Sequence, residues 1–322
     1  MTISALAGQV RWISAVISIV LAAILLAACA TTKPTLKVEQ NKESLSIRTP
    51  AGKPVLTYNL RPPTNSALSV QSGGYFHPLL TPHGNVVTDF APSDHRHHRG
   101  LFFGWVEMHG EKDADFWGWG EHAPIKDRRI VSRPIFDVAP GTYSANFVAV
   151  NDWTAEGTIL VEENLRATVK ATESANVLDL VYTLTPFSDI TVSRWAFSGF
   201  CLRVRKDAEL TVYSPKGIVT LPNPSHLKPE SDWPDAPWYA CSLKLKDGTV
   251  FGAAVINYPK NPPTLWHNHR DVRMINPCVV APAELHLAKL KPFVLRYRVV
   301  TFDGPVPTGL LNDKAQQWAE KL

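Results

Sequence analysis

Cysteine is scarce and unpatterned in this chain of 322 residues: there are four, and no two stand in a Cys-x-x-Cys spacing. That excludes a thiolate zinc module built on paired cysteines. Beyond Cys29 the other three, Cys201, Cys241 and Cys278, lie far apart. An exported protein has room for one disulfide among them, but sequence does not choose the pair. An excess of charge of one sign is also lacking. The 33 basic and 29 acidic residues leave a formal net charge of +4, scattered along the chain, which argues against a nucleic-acid partner. There is no internal repeat, no low-complexity tract and no His-Glu-x-x-His metal motif. Long apolar runs are confined to the N-terminus.

That run, "WISAVISIVLAAILLAA", follows one charged residue, Arg11, and ends in "LAAC", Leu26 to Cys29. Small residues before a cysteine resemble a bacterial lipobox, in which the cysteine thiol takes the lipid. Residues 1–28 therefore read as a lipoprotein signal peptide, with an uncleaved anchor or a plain secretory signal as alternatives. Residues 29–35 are the lipidated cysteine and a polar tether, and residues 36–322 a single domain. The expected location is the outer membrane, or a periplasm-facing membrane surface, of a Gram-negative bacterium, with Ala30 after the cysteine favouring the outer membrane. Contact with the membrane runs through the lipid alone.

Beyond the tether the pattern is that of strands. "LKVEQNKESLSIRTPAGKPVLTYNL", "NFVAVNDW", "GTILVEENLRATVKAT" and "VLDLVYTLTP" alternate apolar and polar residues. Asp247-Gly248 separates two alternating runs, a hairpin signal. "FVLRYRVVTF" puts Phe293, Leu295, Tyr297 and Val299 on one face, Arg296 and Arg298 on the other. A period of two argues half-buried antiparallel sheet, and the 26 prolines fall mostly between these runs. One helix is expected, in "NDKAQQWAEKL", capped by Asn312 and with Ala315, Trp318, Ala319 and Leu322 as its apolar stripe. The fold class that follows is all-β, a large antiparallel β-sandwich with a short C-terminal helix.

One segment departs from this pattern. Residues 75–122 hold seven of the eleven histidines, His77, His83, His95, His97, His98, His109 and His122, together with Trp105, Trp117 and Trp119. Its centre reads "DHRHHRG", Asp94 to Gly100. On a strand, His95 and His97 would share a face and could hold a divalent metal, with His77, His109 or a later histidine as a third ligand. Without metal, imidazoles that titrate near neutrality can move protons, Arg99 can neutralise a developing anion, and Asp94, Glu107, Asp115 or Glu121 can serve as partner carboxylates. A structural polar network is the third reading. Tryptophan faces beside His, Arg and Asp suit sugar rings, whose C–H faces stack while their hydroxyls take hydrogen bonds. A second cluster, Trp266, His267, His269, Arg270 and Asn276, repeats this chemistry and would complete one concave site if the two meet. Arg203 in the apolar run "FSGFCLRV" needs a partner and is either a site residue or part of a buried ion pair.

Several of these segments, "GGYFHPLLTPHG", "VTDFAPSDHRHHRGLFFGW", "DFWG", "SGFCLRVR", Trp266-His267 with Asn276-Pro277, and "LRYRVVTFDG", resemble a bacterial domain family of unknown function labelled "PmoA". The motif positions are His77, Asp94, His95, His97, His98, Arg99, Trp105, Trp117, Arg203, Trp266 and His267. Arg96 stands where the family pattern has proline, and the segment after Trp266 lacks its Arg-Asp-Tyr-Gly run. The resemblance implies an exported protein that accompanies sugar degradation, on a galactose-mutarotase-like supersandwich. The methane-oxygenase label does not fit a chain with one N-terminal apolar segment followed by strands.

Three functions follow as expectations. The first is an enzyme acting on carbohydrate by lyase, hydrolase or epimerase chemistry, with His77, Asp94, His95, His97, His98 and Arg99 catalytic, and Trp105, Trp117, Arg203, Trp266 and His267 binding substrate. The second is a carbohydrate-binding lipoprotein without turnover. The third is a metal-dependent oxygenase-type enzyme with a divalent metal on His95 and His97. The oligomeric state is left open.

Overall fold

In the computed structural model, which describes residues 34–121 and 125–320, the alternating segments form two large antiparallel sheets. Residues 1–33, on which the expected signal peptide, Cys29 and most of the expected tether fall, lie outside the described residues, as does His122. The first sheet has seven strands, in the order Lys37–Gln40, Ser44–Arg48, Pro54–Asn59, Tyr75–Leu79, Leu101–Gly104, Gly199–Arg203 and Met274–Ile275. The second has ten, and Val250–Asn257, Phe293–Asp303, Asn176–Pro186, Thr158–Ala171 and Ser144–Ala155 run side by side through its middle. Strand alternation explains the core between them. Leu165, Ala167 and Val169 point inward while Arg166 and Lys170 reach solvent, and Leu180, Tyr182 and Leu184 do the same on the neighbouring strand. Rings meet across the gap: Phe200 stacks on Tyr297 with centroids 4.2 Å apart, and Phe103 on Tyr182 at 5.0 Å. The expected antiparallel sandwich is the architecture observed.

Three central strands of the smaller sheet break the alternation because both their faces are covered. Phe76, Leu101, Phe103, Phe200 and Leu202 face the inner core. Tyr75, Phe102 and Cys201 face outward into a separate apolar cluster with Trp117, Phe197, Val272 and Met274. Burial on both faces is why "GLFFGW" and "SGFCLRV" read as continuous apolar runs. The outer cluster is the floor beneath the histidine- and tryptophan-rich loops.

The hairpin signal holds: Trp238–Lys244 pairs with Val250–Asn257, and Gly248 turns the chain at φ +88°. Two local expectations change. The helix spans Thr308–Glu320 and so starts one turn before Asn312, whose Oδ1 instead accepts a hydrogen bond from Trp238 Nε1 at 2.9 Å. Leu311 and Trp318 are its buried residues, packed against Trp238, Ile256 and Val300 on the outside of the large sheet, and Leu322 lies outside the described residues. That helix also covers Arg298. Its guanidinium is buried, paired with Asp179 in the neighbouring register position and donating to the Lys314 carbonyl at 2.8 Å. Cys201, Cys241 and Cys278 are all buried and unpaired, so no disulfide links them.

Candidate functional site

The segment "DHRHHRG" is a loop of turns, not a strand, until Arg99 bridges Phe90 and Gly100 leads into Leu101–Gly104. The strand geometry expected for His95 and His97 is therefore replaced by a tight cluster in which all three rings touch. Centroids lie 5.6 Å apart for His95 and His97, 4.8 Å for His95 and His98, and 4.6 Å for His97 and His98. Gly100 makes this possible. Its φ of +73° and the Phe76 carbonyl, 2.3 Å from where a Cβ would sit, leave room for glycine alone.

Each ring has a distinct partner. The Asp94 carboxylate takes His95 Nδ1 at 2.9 Å, Lys206 Nζ at 2.6 Å and Arg203 Nη2 at 3.0 Å. Burial raises the Asp94 carboxyl, but the bonds from Lys206, His95 and Arg203 outweigh it and hold the group well below the usual carboxylate range. An ionised Asp94 accepts, so His95 carries its hydrogen on Nδ1 and keeps a lone pair on Nε2. Arg203 can only donate, and its Nη1 lies 3.1 Å from His98 Nδ1, so neutral His98 carries its hydrogen on Nε2. Burial, with His97 and Arg203 beside it, holds His98 well below the ordinary imidazole range. Burial also brings His97 down to about 3.

These rings line a small cavity of about 40 Å³ together with Trp117, Trp119, Phe197, His226, Val272 and Met274. The two tryptophans stand on a loop held by Asp115, whose carboxylate accepts the Gly118 and Gly120 N–H groups at 2.7 and 2.6 Å. Gly118 sits at φ +100°, with Val70 Cγ1 2.2 Å from a would-be Cβ. Trp119 meets Phe197 edge-on at 4.9 Å, and Trp117 tilts against it at 5.5 Å. The wall thus combines four imidazoles with three aromatic rings, closed by Val272 and Met274.

The second cluster joins the same cavity through a residue that sequence reasoning missed. Trp233 and Trp266 form an antiparallel bridge, exchanging both backbone hydrogen bonds at 2.9 Å. That register sets the preceding Asp232 against the following His267, with Oδ1 2.6 Å from Nδ1 and both side chains fully buried. His267 Nε2 lies 3.0 Å from Nδ1 of His226, and His226 lines the cavity. The loop carrying His226 is tied down by Arg270, whose guanidinium donates to the Leu221 and Val219 carbonyls and whose backbone N–H donates to Asn223 Oδ1 at 2.9 Å. His269 stacks on His226 at 4.9 Å, nearly parallel at 8°. Burial lowers His226 and His269 to about 4 and His267 to about 3. It pushes Asp232 up to about 9, with Arg194 opposing. The mirrored dipeptides Asp232-Trp233 and Trp266-His267 were the available sequence signal, since an antiparallel bridge between the tryptophans places acid beside imidazole.

Other expected site residues lie elsewhere. Trp105 and Trp266 are fully buried in the inner core and present no face to a ligand. Arg99 is fully buried behind the loop, its guanidinium 4.4 Å from the Phe102 ring and spent on the carbonyls of His97, Phe103, Phe116 and Trp117. Arg203 is equally buried and serves Asp94 and His98 rather than an open space. His77 shares a hydrogen bond with Thr88 at 2.9 Å and stacks on Phe90. His109 is bracketed by Glu107 and Asp113, whose bonds raise its affinity for a proton. Among the described residues, no group of three or more His, Cys, Asp or Glu side chains is arranged to hold a metal ion, which leaves His95 and His97 without the third ligand expected for them.

Comparison with known proteins adds a family and a fold. The profile of a family of unknown function, DUF6807, matches residues 48–316; nothing in that match bears on the PmoA label. No curated protein matches the chain. Among solved structures, the chain is similar to a mutant heparan sulfate lyase HepC from Pedobacter heparinus, with TM-score 0.43 and 8% identity over 84% of this chain and 37% of that one. It is also similar to the GH36 alpha-galactosidase AgaB from Geobacillus stearothermophilus, with TM-score 0.40 and 10% identity over 83% of this chain and 41% of that one. An alpha-galactosidase from Lactobacillus brevis gives TM-score 0.38 and 8% identity over 83% and 39% of the two chains. The chain spans less than half the length of these solved chains, and a likeness of this degree carries nothing about activity.

Proposed function

The chain belongs to the DUF6807 family, and from its cavity we propose an enzyme that acts on carbohydrate by histidine acid–base chemistry, of lyase, hydrolase or epimerase type. One observation carries this reading: two imidazoles on one cavity wall have opposite hydrogen placements fixed by their partners. His95, bonded through Nδ1 to an ionised Asp94, offers Nε2 as a base. His98, taken at Nδ1 by Arg203, offers Nε2–H as a donor. Environments that push neighbouring groups into opposite roles are what acid–base catalysis needs. Trp117, Trp119 and Phe197 supply faces on which a sugar ring can stack.

The test is an assay of the purified protein against a panel of polysaccharides, following reducing ends and ultraviolet absorbance, with and without chelator. His95→Gln is expected to lower turnover by about 10²–10⁴ with binding retained, the usual scale for a lost general base. Binding without turnover in the unaltered protein would favour the non-catalytic carbohydrate-binding reading. Turnover abolished by chelator and restored by one metal would favour the metal-dependent reading. The same proposal places the protein outside the cytoplasm, anchored through lipid on Cys29. Replacing Cys29 by Ala is expected to move it from the membrane fraction to the soluble one, and unchanged membrane association would remove the anchor.

A further inference from the structure

The base side of the cavity is accounted for by Asp94 and His95, but the second cluster is an unused line of three hydrogen-bonded titratable groups running from the interior to the cavity. Asp232 Oδ1 meets His267 Nδ1 at 2.6 Å, and His267 Nε2 meets His226 Nδ1 at 3.0 Å. Each contact must hold one hydrogen, and the two placements are linked. If Asp232 carries the hydrogen on Oδ1, His267 must carry its own on Nε2 and His226 on Nε2. If Asp232 is ionised, both rings carry theirs on Nδ1, and His226 Nε2 is bare. No mixed arrangement satisfies both bonds with neutral rings.

We propose that Asp232, His267 and His226 form a proton-delivery chain whose outer end, His226 Nε2–H, gives its proton to the bound ligand while the hydrogen of the buried carboxyl moves outward to replace it. The step balances. The His226 Nε2–H bond breaks as a bond from hydrogen to the ligand forms; the His267 Nε2 hydrogen passes to His226 Nδ1; the Asp232 hydrogen passes to His267 Nδ1. The ligand gains one proton and Asp232 is left as the carboxylate, to be reprotonated from solvent along the same path. Three observations support an acid rather than a base as the resting state. Both Asp232 and His267 side chains are fully buried. Asp232 Oδ2 has no hydrogen-bond partner, as suits a neutral carboxyl and not a buried carboxylate. Burial pushes the carboxyl up to about 9.

This rests on the acid–base reading of the cavity and completes it. Two Asp–His arms meet the same space in opposite states: Asp94 is ionised and makes His95 a base, whereas Asp232 is neutral and makes His226 an acid. The difference comes from their surroundings. Asp94 has Lys206 and Arg203, whereas Asp232 faces Arg194 only at long range, with Glu230 beside it opposing and the Cys278 thiol nearby. His226 faces His269, His267 and, across the cavity, His95, and burial lowers all three, which keeps them neutral at neutral pH. Asp271, beside His269, is the remaining carboxylate near this end. His226 would touch the ligand; His267 and Asp232 act through it and are positioning residues.

The experiment is ¹⁵N NMR of the imidazole tautomers in the full protein between pH 6 and 10, with ¹³C detection of the Asp232 carboxyl. The expected result is that His226 and His267 both begin as Nε2–H and convert together to Nδ1–H, at one midpoint shared with ionisation of Asp232. In Asp232→Asn the joint conversion disappears. Independent conversion of the two rings, an imidazolium signal at either ring near pH 6.5, or an unchanged conversion in Asp232→Asn would overturn the chain. The unaltered protein alone decides the first two outcomes, so the result stands even if the variant fails to fold. Because the measurement needs no substrate, it also separates the two proposals. Joint conversion with no turnover on any carbohydrate sinks the enzyme reading and keeps the chain, whereas turnover with independent rings does the reverse.

Discussion

Arg203 shows how a single residue is legible in kind but not in role. A guanidinium in the run "FSGFCLRV" had to find a partner, and the sequence offered substrate or ion pair as the choice. Strand alternation puts it on the outer face with Cys201, beneath the histidine loop, where it is fully buried and bridges Asp94 and His98. Replacing it with Met removes a charge that fixes two site residues at once. Breaking a buried pair costs about 3–5 kcal/mol, and the lower end applies because Asp94 is partly exposed and keeps Lys206. Urea unfolding of Arg203→Met is expected to show a loss of about 3 kcal/mol, and a loss below about 1 kcal/mol would show that the bridge contributes little. Trp105 and Trp266 teach the same lesson from the other side. Their aromatic content was visible in sequence, but the face they present was not, and both turned out to be core. His226 was invisible because it stands alone among prolines and becomes a site residue only when Arg270 ties its loop across.

At the scale of elements, the strands were legible because half-burial writes a period of two into the sequence, and the Asp247-Gly248 turn because it needs positive φ. The loops were not, since no periodicity fixes where they fold back. Gly118 marks the difference. Gly248 and Gly118 both sit at positive φ, but the first has nothing within 4 Å of a would-be Cβ and the second has Val70 Cγ1 at 2.2 Å. Gly248→Ala is therefore expected to cost about 1 kcal/mol, the conformational term alone. Gly118→Ala adds overpacking of about 1–3 kcal/mol and shifts Trp117 and Trp119. Thermal unfolding of the two variants, with tryptophan fluorescence of the site, checks this; equal losses would mean that the Trp loop yields without resistance. The helix shows the limit of local signals in another way. Its Asn312 looks like a cap but serves Trp238, because the tertiary partner outcompetes the local one.

For the whole molecule, the number of buried imidazoles decides the response to acid. His77, His97, His226, His267 and His269 are lowered from 6.5 to about 4 or below, and His98 well below its ordinary value, chiefly by burial. Below about pH 6.5 the unfolded chain binds protons that the folded one refuses, so stability falls as pH drops towards 4. Buried carboxyls oppose this: Asp115 and Asp235 are raised by burial, and two others are raised further. Glu163, fully buried and bonded to Asn151 and Trp153, is raised from 4.5 to about 7, and Asp232 to about 9. Each holds a proton that the unfolded chain releases, so each loses stability as pH rises through its window. The six imidazoles outnumber the raised carboxyls, and the melting temperature is expected to fall steadily from pH 6.5 to pH 4.5. Once the unfolded imidazoles are neutral too, above about pH 7, the carboxyls dominate, and the curve is expected to decline gently towards pH 8. Glu163→Gln, which keeps the shape and removes the titration, is expected to flatten the part of that decline near pH 7. A melting temperature that rises on acidification to pH 4.5 would contradict the buried, neutral state of the imidazoles.

The three unpaired thiols give the folded molecule a built-in clock. Cys201 lies in the smaller sheet under the site, Cys241 in the larger sheet, and Cys278 in the short ladder with Leu265–Trp266. Burial raises all three, Cys241 to about 11 and the others higher, so none offers a thiolate or a surface while its element is closed. An alkylating reagent therefore reads opening rather than chemistry, and mass spectrometry of the labelled peptides times each part separately. Equal labelling rates would mean that the sandwich and its site open as one body. Faster labelling of Cys278 than of Cys201 and Cys241 would mean that the wall holding Asp232 breathes while both sheets stay shut.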